Sequence, residues 1–150
     1  NSDSTKNGLS ITKPLDFYER ALALNYFLSQ SEAPILIASN KRVKNILKDI
    51  PVNSDKNTEI DLKNNLKESS EKNLLESLGT QEKALIPFLE ANPKQYTQAL
   101  QSLSDLAAPL DQFFESVMVM CEDPVLRSSR LALLQRLRLL FLQIADFSFL

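Results

Sequence analysis

FFESVMVMCEDPVLRSSRLALLQRLRLLFLQIADFSFL, residues 113–150, carries most of the information in this chain. From Leu126 to Ile144 it is apolar almost all the way round a helix, yet it holds four arginines and no lysine. A helix of that kind is buried at the centre of an all-helical domain. Its arginines then need partners, either buried acids or a polyanion at the rim. At about 100° per residue, Leu126, Leu133, Leu137, Leu140, Phe141 and Ile144 form the core stripe. Arg127 and Arg138 share one flank, Arg130 lies between them and the core, and Arg136 stands on the other side. Leu131, Leu134, Leu139 and Leu142 fill what would otherwise be a solvent face. Asp111, Glu115 and Asp123 are the acids nearest in sequence, and a structural ion pair is the expectation for Arg130.

The start of this helix is marked by Asp123-Pro124, a capping aspartate followed by a proline at the first helical position. Val-Met-Val-Met at 117–120 reads as the link from the preceding helix, and Cys121 and the two methionines read as packing residues. Phe113 and Phe114 suit stacking on bases, but adjacent phenylalanines before a buried helix belong more often to the core.

Upstream, the periodicity is helical throughout. Pro14 suits the first position of a helix, with Leu15, Tyr18, Leu22 and Tyr26 as its stripe to about Ser29. A second helix is expected from Pro34 to Ile50, stopped by Pro51. Ser70 is placed to cap a third, which Gly79 and Pro87 should break or kink before Asn92. Pro93 should restart the chain as a fourth helix and Pro109 open a fifth. The expected fold class is all-α: a single-domain helical bundle of about five to six helices. Residues 1–13 read as a tail or linker and 14–150 as the helical domain. The interval 52–69 is a polar excursion that Ile60, Leu62 and Leu66 anchor by a short turn or helix.

Composition narrows the chemistry. The 150 residues include no histidine, one cysteine and two glycines, with a net charge of −2. Histidine acid–base chemistry, a Cys/His zinc site and a glycine-rich phosphate loop are therefore outside this chain's means. A lone cysteine suits a reducing compartment, and no run is long and apolar enough to span a membrane. The expected location is the cytoplasm. The start at Asn1 without Met points to a processed product or an excised fragment.

Charge is uneven. Lys41, Arg42, Lys44 and Lys48 face only Glu32 and Asp49 across 31–50, whereas 84–122 is strongly acidic. On the wheel, Lys41, Lys44 and Lys48 share one stripe, opposite Val43, Ile46, Leu47 and Ile50. Lysines suit phosphate oxygens without demanding geometry. Arg42 lies to one side and offers a bidentate fork, while Asn40 and Asn45 offer amides to base edges. The same pattern also describes an ordinary solvated lysine face.

These segments are recognisable together. NKRVKNIL at 40–47 is similar to the NKRV-x-NIL segment of bacterial glycyl-tRNA synthetase beta subunits. PLDQFFESVMVMCEDPVLRSSRLALLQRLRLLFLQIADFSFL at 109–150 resembles the C-terminal end of that family, D-x-FF-x-x-VMVM followed by a DALR-type motif. The resemblance implies a DALR-type anticodon-binding domain that docks the anticodon arm of glycine tRNA. It implies no catalytic residue and no metal or cofactor in this segment. ATP and Mg2+ would bind elsewhere in an α2β2 enzyme whose alpha subunit makes glycyl-adenylate, with no role for DNA or membrane. The resemblance points to Asn40, Lys41, Arg42, Asn45 and Arg127 by position; with Lys44 and Lys48 from the lysine stripe and Arg138 from the flank it shares with Arg127, these are the expected tRNA-binding residues. Asp123, Leu126 and Arg127 match the DALR motif, and Pro124-Val125 departs from it. Two alternatives compete: the DALR domain of an arginyl-tRNA synthetase, and a helical protein-interaction domain.

Overall fold

The computed structural model describes residues 17–50 and 59–144, with backbone only for 59–61. The expected tail at 1–13, the helix start at Pro14 and Leu15, the stop at Pro51 and the last residues of the chain lie outside the described residues. All regular structure among the described residues is helical, as the sequence implied. The elements are α1 (17–28), α2 (Ala33–Leu47), α3 (Glu59–Asn65), α4 (Ser69–Glu90), α5 (Tyr96–Leu103), a 3-10 turn (Ser104–Leu106), α6 (Ala107–Ser116) and α7 (Pro124–Leu142).

Helix α4 packs on α5 and α6, α2 packs on α6 and α7, and α3 covers α7. The shared core contains Leu36 and Val43 of α2, Leu74 and Leu78 of α4, Phe113 of α6, and Leu133, Leu137 and Phe141 of α7. Each of these is less than 2% exposed, so α7 is the central strut of the bundle. Its start follows from the sequence: Asp123 Oδ1 accepts from the amides of Val125 (3.0 Å) and Leu126 (3.2 Å). Such a cap stabilises a helix by about 1 kcal/mol.

Several boundaries fall differently from the sequence expectation. Helix α4 is one helix of 22 residues that runs through both Gly79 and Pro87. Pro87 is in its last turn, where losing one amide donor does not stop the helix. The cap is Glu68 rather than Ser70: the Glu68 amide donates to Glu71 Oε1 at 2.8 Å, and the two carboxylates form a reciprocal capping box. Helix α5 begins at Tyr96 rather than at Pro93. The 3-10 turn carries α5 almost directly into α6, whose first residue is Ala107. Pro109 thus sits at the third helical position, where its missing N–H is one that no helix satisfies internally.

Side-chain placement also differs at two points. On α1 the buried positions are Ala23 and Phe27, while Tyr18, Leu22 and Tyr26 are exposed. Among the described residues the helix is covered on one narrow face, and the Tyr26 hydroxyl accepts from Gln101 Nε2 of α5 (3.2 Å). In the α6–α7 link the chain is extended at Val117, so neighbours alternate. Val117 and Val119 are buried, whereas Met118 (74%) and Met120 (54%) are exposed rather than packed.

Candidate nucleic-acid interface

Helix α2 begins at Ala33-Pro34, with proline among the first residues where its missing donor costs nothing. Leu36 and Val43 pin one side to the core. Pro34, Ile35, Ala38, Lys41, Arg42, Asn45 and Lys48 are exposed, and Lys44 is half-buried at the edge of that face. The helix ends at Leu47, so Lys48 is its C-cap, and the Ile50 amide closes a turn onto the Leu47 carbonyl (3.0 Å). Among the described residues Lys41 and Lys48 have no carboxylate partner.

Two members of the expected set are placed apart from that face. Asn40 is fully buried between α2 and α7, so it is removed from direct base contact as the structure stands. Its Oδ1 accepts from Arg138 Nη1 of α7 at 3.4 Å, and its Nδ2 has no hydrogen-bond partner among the described residues. Asn40 and Arg138 therefore form a cross-helix tie behind the basic face. Arg127 is half-buried, and its Nη1 donates to the Cys121 carbonyl (3.2 Å), which holds it to the α6–α7 link.

Arg42 is held by an aromatic ring. Its guanidinium lies 4.5 Å from the centroid of the Phe114 ring on α6. Phe114 in turn meets the ring of buried Phe113 edge-on, with centroids 5.4 Å apart. Phe113 thus lies in the core, and the half-buried Phe114 packs against that core while its ring also meets a cation. Sequence reasoning took both as core and missed this.

The other two arginines of α7 are structural. Arg130 is buried and donates from Nε to Glu71 Oε2 (2.9 Å) and from Nη2 to Glu71 Oε1 (3.3 Å). Its Nη1 donates to the Met118 carbonyl at 2.6 Å. The Glu71 hydrogen bond raises the Arg130 pKa against the opposing effect of burial, so the guanidinium stays charged. Arg136 pairs with Glu82 of α4. Arg130 does turn inward, as expected, but its partner is Glu71 and not one of the acids close in sequence. The signal missed was an acid on an apolar stripe, Glu71 with Leu74, Leu75 and Leu78.

Among the described residues no group of three or more acidic, cysteine or histidine side chains converges to hold a metal. No helix of the described residues is long and apolar enough to cross a membrane.

Comparison with known proteins agrees with this picture. The family model described as DALR anticodon binding domain matches residues 36–146. The glycine–tRNA ligase beta subunit of Hamiltonella defensa is 50% identical over 142 residues, covering 93% of this chain and 19% of that protein. Those of Vibrio cholerae and Hahella chejuensis are 46% and 43% identical, each over 93% of this chain and 20% of the relative. The chain thus spans about one fifth of the length of the curated relatives it matches. A helical bundle of this construction, matched by that model over most of its length, belongs to the DALR anticodon binding domain family.

Proposed function

We propose that this chain is the tRNA-binding module of a glycine–tRNA ligase beta subunit and that it holds the anticodon arm of glycine tRNA. The observation that carries the reading is the exposed face of α2, where Lys41, Arg42 and Lys48 project from a helix pinned to the core behind it. Phosphate contacts from the two lysines supply affinity and register, and Arg42 and Asn45 are placed to choose among unpaired bases. Lys44 at the edge, and Arg127 and Arg138 in support, join them; of the set proposed from the sequence only buried Asn40 is left out.

The module does no chemistry of its own. ATP and Mg2+, which the whole ligase would require, are assigned to other parts of the enzyme. The alpha subunit, as partner, supplies glycyl-adenylate. The contribution of this domain is positional: holding the anticodon arm orients the distant acceptor end.

The experiment is a titration of the full-length ligase with glycine tRNA and with a variant whose anticodon is exchanged. Weaker binding of the variant is expected. Equal binding removes anticodon readout from the account. A protein-docking role draws on the exposure of Leu139 and Leu142 on α7. Salt distinguishes the two, because apolar docking changes little with ionic strength and phosphate binding changes steeply.

A further inference from the structure

We propose that the Arg42 guanidinium, backed by the Phe114 ring, is a stacking plate for one unpaired nucleobase of the anticodon loop. This deepens the tRNA reading above and rests on it. A guanidinium is planar and has two faces. The Arg42 guanidinium carbon lies over the Phe114 ring, 4.5 Å from its centroid. Arg42 is nonetheless exposed, which leaves room for a ligand beside the ring it rests on. Among the described residues Arg42 has no carboxylate partner to neutralise or turn it. Among the described residues the side chain is therefore held by a ring rather than by an acid.

The setting suits a base. Phe114 is itself braced by the buried Phe113 ring. The plate is thus fixed through α6 to the core before any ligand arrives, which lowers the ordering cost of binding. Lys41, Asn45 and Lys48 lie together on the exposed stripe to one side of Arg42. A loop whose phosphates lie on the lysines would bring an extruded base over the adjacent plate. Arginine planes and aromatic rings are the usual stacking surfaces for unpaired bases.

The test uses the full-length ligase and glycine tRNAs that each lack one base of the anticodon loop, removed at one position at a time. One such gap should weaken binding to the wild-type enzyme by about tenfold, the scale of a single base stack. Arg42→Lys keeps the charge and loses the plane. It should weaken intact tRNA by a similar factor yet cause no further loss on the gapped tRNA at that one position. Phe114→Leu should behave in the same way. If Phe114→Leu fails to fold, Arg42→Lys alone decides, because its side chain is at the surface. No loss with Arg42→Lys, or an equal loss on every gapped tRNA, overturns the proposal. Lys41→Ala with Lys48→Ala separates the two levels. If that pair weakens binding while Arg42→Lys does not, stacking fails and the tRNA reading stands. If neither does, both fall.

Discussion

Arg130 and Glu71 meet at the centre of the bundle from positions 59 residues apart, with Arg130 Nε 2.9 Å from Glu71 Oε2 and side chains only 6% and 0% exposed. Both partners also bond elsewhere. Glu71 also accepts from the Glu68 amide that starts α4, and Arg130 also donates to the Met118 carbonyl in the α6–α7 link. One interaction therefore joins the start of α4, the middle of α7 and the link that precedes α7. The helix that looked like a candidate polyanion rim is anchored inward here, which leaves the outward basic face to α2.

Breaking this pair should be costly. Glu71→Gln or Arg130→Met alone leaves a buried charge or donor without its partner, and each should lower unfolding stability by about 3–5 kcal/mol. The double variant Glu71→Leu with Arg130→Met should recover part of that loss. Chemical denaturation of the three proteins checks both statements. The sign of any pH effect follows from the raised Arg130 value. A cation whose folded pKa is raised contributes stability that is fully present below its unfolded pKa. That contribution is lost only as pH rises through the folded value, far into the alkaline range. Removing Arg130 should thus change stability by the same amount at neutral and mildly alkaline pH.

Gly79→Ala should stabilise the domain. The residue lies inside α4 with ordinary helical backbone, and a methyl group added there meets nothing within 4 Å. Alanine is favoured over glycine in a helix by roughly 0.5–1 kcal/mol. A rise in the unfolding midpoint with unchanged tRNA affinity is expected. A fall would show that the helix needs a hinge at Gly79.

What the sequence disclosed, and what it did not, divides along a physical line. Helical periodicity, the Asp123-Pro124 start and the basic stripe of α2 are local properties, and each was legible. The inward turn of Arg130 was legible too, because an arginine on an apolar wheel has few other places to go. Its partner was not, since Glu71 is distant in the chain and the nearby acids offered a simpler solution. Proline positions misled where the first turns and last turn of a helix tolerate them, as at Pro87 and Pro109. Asn40 sits among lysines in sequence but one step round the helix from them in space, and that step puts it in the core. The Arg42–Phe114 stack joins two helices and has no local signature.

Asn40→Ala should separate support from contact. It removes the acceptor of Arg138 between α2 and α7, and stability should fall by about 1–3 kcal/mol. Because Asn40 faces no phosphate, the salt dependence of tRNA binding should keep its slope. A changed slope with unchanged stability would place Asn40 at the RNA instead.

The central claim is that the outward face of α2 binds the phosphates of a tRNA arm. It is tested most directly by the affinity of the ligase for glycine tRNA over a series of salt concentrations, for the wild type and for Lys41→Ala with Lys48→Ala. For every phosphate no longer neutralised, the slope of log affinity against log salt should fall in magnitude by about 0.7–0.9. The account predicts a shallower slope, weaker binding at low salt and an unchanged unfolding midpoint in the double variant. The same slope and the same affinity in both proteins would contradict it.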